Sequence, residues 1–308
     1  MLCSVAGQGV QGILAFARDA AEVSLLDRER PDLRYVTPQI ASTSLPYKEP
    51  PADTQVWFRR NGDLLFTIAP GIVVDEDDQA RNLGYAFGAV PRMLIAHLST
   101  QAVLTGDPKI FLPHSMAELI RDLGMGSATG GKKGNISRFR NQTERLLHSS
   151  ITLQQRGHPH LDQGVRLGIA NSWRLWWNDN PGQRSFIDLS DIFFKLAISS
   201  PAPVSMHALK LFQKNPVQMD LYWWLTYRFS YLDRPTQVTW DQLMEQFGFQ
   251  LAPGPQGRHQ FKKAIIDALA KVLAVYQAAR VEVTKHGLLL SPSPPHIPFK
   301  GLRALQAG

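Results

Sequence analysis

Ser115-Met116-Ala117-Glu118-Leu119-Ile120-Arg121-Asp122-Leu123-Gly124-Met125 and Thr239-Trp240-Asp241-Gln242-Leu243-Met244-Glu245-Gln246-Phe247-Gly248-Phe249 align without a gap over eleven residues. Ser115 matches Thr239, each suited to cap a helix. Glu118 matches Gln242, each three residues on, where its side chain closes a capping box. Leu119, Ile120 and Leu123 match Leu243, Met244 and Phe247 as apolar helix positions, and Gly124 matches Gly248 as the stop. Further on, Phe139-Arg140 matches Phe261-Lys262. Two unrelated amphipathic helices with similar caps also look alike. Even so, each stretch stands as the first half of a helix-turn-helix.

The flanks extend both units in the same order. Lys109–Leu112 reads as a strand before the first helix, and a Gly-rich turn, Gly126 to Gly134, follows it. The next helix runs from about Asn135 to His148. It has Ile136, Phe139, Leu146 and Leu147 for burial, and Lys132, Lys133, Arg138, Arg140 and Arg145 for solvent. Two β-prone runs, Ile151–Gln155 and Val165–Trp173, are joined by the polar Arg156–Gly164 and read as a wing. In the second unit, Gln237–Thr239 is the strand and Pro253 to Gly257 the turn. A helix from about Arg258 to Tyr276 follows, then a hairpin, Arg280–Thr284 and Leu288–Leu290, around Lys285. The expected fold is therefore α+β, mainly helical, with two tandem winged-helix (winged helix-turn-helix) domains. Residues 1–50 are assigned to an N-terminal helix and linker, 51–185 to the first domain and 186–308 to the second.

Elsewhere the chain is less patterned. Gln11–Leu26 is helical by period, with Ile13, Leu14, Ala17, Ala21 and Leu25 near one face. Tyr35–Pro51 has Pro, Ser and Thr without a period and reads as a linker. Gln55–Arg60 and Leu64–Ala69 form a hairpin around Asn61-Gly62. Asp75–Asp78 is a solvated acidic run, and Pro91 opens a helix to Leu104. Leu221–Leu225 is apolar most of the way round and belongs to a buried helix.

Of 308 residues, 44% are hydrophobic and 19% charged, so the chain has enough apolar side chains for real cores. No run approaches the ~20 apolar residues needed to span a bilayer, and Met1–Gly12 lacks the basic start of a signal peptide. Cys3 is the single cysteine, which rules out an internal disulfide or a multi-cysteine zinc site and fits a reducing cytosol. The net charge of +7 and pI near 9.6 suit an acidic partner such as nucleic acid.

An α-helix fits the major groove of B-DNA, where each base pair presents its own pattern of donors and acceptors. Both second helices have the two faces such a role needs. In the first, Asn135, Ser137, Arg138, Asn141 and Gln142 carry side chains that read bases. Arg140 and Arg145 add charge, while Lys132, Lys133 and Arg156 are placed for phosphates. In the second, Arg258, His259, Gln260, Lys262 and Lys263 take these roles, with Lys285 at the wing. A merely solvated charged face has the same composition.

Three other patterns point to different chemistry. Gly7-Gln8-Gly9-Val10-Gln11-Gly12 matches the dinucleotide fingerprint, but no βαβ unit is readable around it. Gly126–Lys133 falls one residue short of a phosphate-binding loop, with Lys133 where a hydroxyl is needed for Mg²⁺. His158-Pro159-His160, with Tyr227 and Tyr231 four residues apart, has the parts of a rolling-circle nickase. Against that, Pro159 cannot donate to the sheet such a metal pair needs. No catalytic residue, metal or cofactor is expected.

Five segments carry a resemblance: Gly84–Ile95, Thr129–Leu147, Ser190–Phe194, Asp220–Leu232 and Gly287–His296. They include Thr-Gly-Gly-Lys-Lys-Gly-Asn-Ile-Ser-Arg-Phe-Arg from Thr129, Asp-Leu-Tyr-Trp-Trp-Leu-Thr-Tyr-Arg from Asp220, and Gly-Leu-Leu-Leu-Ser-Pro-Ser-Pro-Pro-His from Gly287. Together they resemble plasmid-encoded RepA-type replication initiators, from about residue 45 onward. The resemblance implies a non-enzymatic bacterial cytoplasmic protein that binds repeats (iterons) in double-stranded origin DNA. It also implies host partners, the helicase and the chromosomal initiator, and a homodimer. A transcriptional repressor on an inverted repeat and the nickase are the alternatives.

Overall fold

The computed structural model describes residues 2–131, 134–158, 161–175, 184–248 and 254–298. The fold is mixed α+β. It begins with α1 (Leu2–Glu29), β1 (Leu33–Val36) and the short α2 (Pro38–Ala41). Two hairpins follow, β2 (Trp57–Asn61) with β3 (Leu64–Ala69), and β4 (Ile72–Val74) with β5 (Ala80–Asn82). Asn61 pairs with Leu64, so the two-residue turn is Gly62-Asp63 rather than Asn61-Gly62. Gly62 takes the left-handed conformation (φ +56°) that such a turn requires. The acidic run forms the solvated turn between β4 and β5, where the Asp75 carboxylate accepts from the amides of Asp77 and Gln79.

The first unit is α3 (Ala89–Thr105), β6 (Lys109–Phe111), α4 (Met116–Asp122), α5 (Asn135–His148), β7 (Ser150–His158), β8 (Leu161–Leu167), β9 (Ala170–Arg174) and β10 (Phe186–Leu189). Then α6 (Asp191–Ser199), β11 (Ala202–Ser205) and α7 (Met206–Phe212) lead to the second unit. That unit is α8 (Pro216–Phe229), β12 (Thr236–Thr239), α9 (Trp240–Phe247), α10 (Pro255–Val275), β13 (Arg280–Val283) and β14 (Gly287–Ser291).

The two units repeat in topology. Each has a long helix, a short strand, a helix pair and a two-stranded return. Their sheets run β6-β10-β9 and β12-β14-β13, with the last strand central in both. The caps read from the sequence are present. Ser115 accepts from the Glu118 amide, while the Glu118 carboxylate reaches one residue further back than a capping box has it, to the amide of His114. Thr239 and Gln242 form the complete box. Gly287 closes the second sheet: a Cβ there would stand 1.9 Å from the Val238 carbonyl oxygen.

The strands assigned to the first wing lie elsewhere. β7 and β8 do pair, but β7 also pairs with β3, giving a four-stranded sheet β2-β3-β7-β8. The run Val165–Trp173 breaks at Gly168-Ile169, and its second half, β9, pairs with β10. The position equivalent to a wing is thus the β9–β10 connection, largely outside the described residues. Local alternation is the same in both hairpins, and only long-range pairing separates them.

Tyr35–Pro51 is not a simple linker. β1 pairs with β11 across the chain, and residues 35–46 are almost wholly buried, with Tyr35, Val36, Ala41 and Leu45 in the core. Buried residues of both units and of this segment form one continuous cluster. The Trp-rich helix α8 is buried as its composition requires; Leu221, Tyr222, Trp223 and Leu225 are at most 1% exposed.

Candidate nucleic-acid interface

Helix α5 docks on α3 and α4 through Phe139, Leu146 and Leu147. Its first residue, Asn135, is tied into the turn before it. The Asn135 carbonyl oxygen accepts from Thr129 N (2.7 Å) and Thr129 Oγ1 (3.2 Å), and its amide donates to Ser127 O (2.9 Å) and Met125 O (3.3 Å). An amide makes four such bonds, so Asn135 shapes the turn and has no group left for a base. Gly134 is required beside it: a Cβ there would stand 2.1 Å from the Thr129 carbonyl oxygen.

The expected reader Gln142 and the expected solvent-facing cation Arg145 both face inward. Gln142 is 3% exposed, and its Oε1 accepts from the Phe87 amide at 2.7 Å. Arg145 pairs with Glu49 at 2.6 Å and donates to the Tyr85 carbonyl. Both hold the segment before α3 against α5, and neither is presented outward. Ser137, Arg138, Arg140 and Asn141 remain on the exposed face, with Ser137 Oγ donating to Gly131 O at 3.0 Å. Arg138 has no acidic partner among the described residues. Lys132 and Lys133 lie outside the described residues. Arg156 is exposed on β7, in the four-stranded sheet rather than a wing, and its amide donates to Asp63 O.

Helix α10 starts at Pro255, three residues earlier than its pattern indicated, and buries Phe261, Ile265 and Leu269. Arg258 pairs with Asp241 of α9 at 2.5 Å, and Lys262 lies over the Trp240 ring at 5.3 Å. Both contacts join the start of α10 to α9 at the surface, with the Arg258 and Asp241 side chains 50% and 66% exposed. His259, Gln260 and Lys263 are exposed, as is Lys285 in the β13–β14 turn. One side of the C-terminal half of α10 packs against α1, where Lys271 lies 5.3 Å from the Phe16 ring. The first turns of α10 are open, and Ile266, Asp267, Ala270 and Lys271 beyond them are exposed too.

The nickase parts are dispersed or undescribed. The Tyr227 and Tyr231 rings meet at a tilt at the end of α8, centroids 5.0 Å apart, and burial pushes the Tyr227 hydroxyl pKa up. His158 lies on β7, and His160 is outside the described residues. Among the described residues no group of three or more His, Cys, Asp or Glu is arranged to hold a metal. No described helix is long and apolar enough to cross a membrane.

No curated protein matches the chain. It is similar to two crystal structures of RctB domains 2–3, both at 11% identity. One, of selenomethionine derivatives, has a TM-score of 0.49 and covers 80% of this chain and 88% of that one. The other has a TM-score of 0.45 and covers 78% and 83%. The family model for the plasmid-encoded RepA protein matches residues 85–242, just over half of the chain. That span contains α3, the whole α4–α5 pair, α8 and the Thr239–Gln242 capping box. The chain belongs to the family of plasmid-encoded RepA proteins.

Proposed function

We propose that this protein is a plasmid replication initiator that binds repeats in double-stranded origin DNA through two winged-helix units. The observation that carries the reading is the repeated topology, in which each unit holds an outward basic helix: α5 with Arg138, Arg140 and Asn141, and α10 with His259, Gln260 and Lys263. Arg suits guanine, and Asn or Gln suits adenine. The wing lysine Lys285 and the pair Lys132 and Lys133 supply phosphate contacts, which set register and affinity. Arg258, Lys262 and Arg145 act indirectly, by holding the helices that present these groups.

Two such helices on one rigid core engage successive major-groove faces about one helical turn (~34 Å) apart. Copies on adjacent repeats bend the duplex, and the deformation favours opening of a neighbouring A+T-rich segment. The protein then works in the bacterial cytoplasm, without chemistry of its own, as a platform for the host helicase and chromosomal initiator. Footprinting on the origin of the encoding plasmid tests this. Protection of direct repeats on one face of the duplex is expected. A single isolated footprint, or a lone inverted repeat, contradicts it; the inverted repeat is the repressor outcome.

A further inference from the structure

Beside the start of α5 lies a cavity of about 730 Å³ that the DNA-reading face does not account for. It opens between the α4–α5 turn, the start of α3 and the segment before α8. Three cations line it: Lys48, Arg138 and Lys214. They come from three separate parts of the chain, and among the described residues no acidic one lines the cavity. Among the described residues none of the three has a carboxylate partner. The nearby carboxylates are committed elsewhere, Glu49 to Arg145 and Asp220 to Arg92.

Three like charges around one concavity repel one another and focus a positive field into it. A multivalent anion relieves that repulsion. The volume lies within the ~300–1,000 Å³ of small-molecule sites, far more than one phosphate fills. The half-buried Phe87 ring, with the Arg145 guanidinium 5.6 Å from its centroid, supplies an apolar wall, and Gln213, whose amide nitrogen donates to the Gly124 and Lys210 carbonyls, adds a carbonyl oxygen as acceptor.

We propose that this cavity is a nucleotide site, in which Lys48, Arg138 and Lys214 take the phosphate and Phe87 faces the base or sugar. The phosphate has two sources, a free nucleotide or a unit of a bound DNA strand. Arg138 belongs to both the cavity and the exposed face of α5, so a free nucleotide competes with DNA, and a strand unit adds to its affinity.

The test compares the full chain with Lys48→Ala and Lys214→Ala variants, whose exposed side chains can be removed without opening the core. Calorimetric titration uses ATP as probe, and fluorescence anisotropy uses a labelled origin duplex. Tenfold or greater loss of ATP affinity in both variants, with duplex affinity kept, supports a free-nucleotide site. The same loss for the duplex, with no ATP bound by any form, supports a strand-phosphate site. Unchanged affinity for both probes in both variants overturns the proposal, as does a wild-type chain that binds neither probe. ATP binding that depends on Lys48 and Lys214 in a chain that binds no duplex would uphold the cavity and refute the DNA-binding function.

Discussion

Arg92 of α3 and Asp220 of α8 meet in a two-point ion pair, Nε–Oδ1 and Nη2–Oδ2 both 2.7 Å, with side chains 1% and 2% exposed. Each comes from the first helix of one unit. The remaining Arg92 donors reach the carbonyls of Leu45, Pro46 and Gly88. One guanidinium thus joins both units to the buried N-terminal segment.

Removing one partner of such a pair leaves a buried, uncompensated charge. Asp220→Ala is expected to lower stability by about 3–5 kcal/mol. The double variant Arg92→Met, Asp220→Leu should recover much of that. Urea denaturation of both variants checks it; a loss below about 1 kcal/mol for Asp220→Ala would show that the pair does not hold the units together.

Gln142 separates the roles of α5. Its carbonyl is the partner of the buried Phe87 amide. Gln142→Leu is expected to lower stability by about 1–3 kcal/mol through that unsatisfied donor, with the preference among duplex sequences unchanged. Arg138→Ala should do the reverse: unchanged stability, and about 1–3 kcal/mol less discrimination between the right base pair and a wrong one. Thermal melting alongside anisotropy on a set of single-base variants reads both.

His296 gives a pH dependence. Its Nδ1 hydrogen-bonds with the Tyr222 hydroxyl at 2.7 Å, the Tyr222 hydroxyl accepts from the Ser205 amide, and Asp27 lies 3.9 Å from Nε2. Burial lowers the His296 pKa from 6.5 to about 4. The unfolded chain therefore takes up this proton first as pH falls. Stability from this group is complete above pH 6.5 and is lost progressively toward pH 4, by about 3 kcal/mol at ~1.4 kcal/mol per unit. His296→Gln should flatten the slope between pH 6.5 and 4.5 relative to wild type. Parallel slopes in urea melts at the two pH values would contradict the assignment.

Gly287 adopts φ +154°, and its neighbours leave no room for a side chain. Gly287→Ala is expected to cost about 1–3 kcal/mol from backbone strain, with further loss from displacement of β12. The β12–β14 amides should lose hydrogen-exchange protection before those of β6–β10. Uniform loss across both sheets would mean that the two units do not open separately.

What the sequence disclosed was local. The caps at Ser115 and Thr239, the stops at Gly124 and Gly248, and the basic helices are all written within a few residues, and each is present. The burial of Gln142 was also legible, since 139, 142 and 146 share one face of a helix. Its polar side chain drew attention to bases instead. The burial of Tyr35–Leu45 was not legible, because a segment that pairs with a strand far along the chain needs no period of its own. The same limit hid the four-stranded sheet and moved the first wing. Lys48 and Lys214 carried no local signal, as only the fold brings them beside Arg138.

Sequence-specific duplex binding by α5 and α10 is read by anisotropy with origin direct-repeat and scrambled duplexes across a salt series. Binding to the repeat should be ~10³-fold tighter or more. Affinity should fall as salt rises, with a shallower slope for Lys263→Ala. Equal, weak binding to both duplexes would contradict sequence-specific binding and reduce the basic helices to solvated faces of the fold.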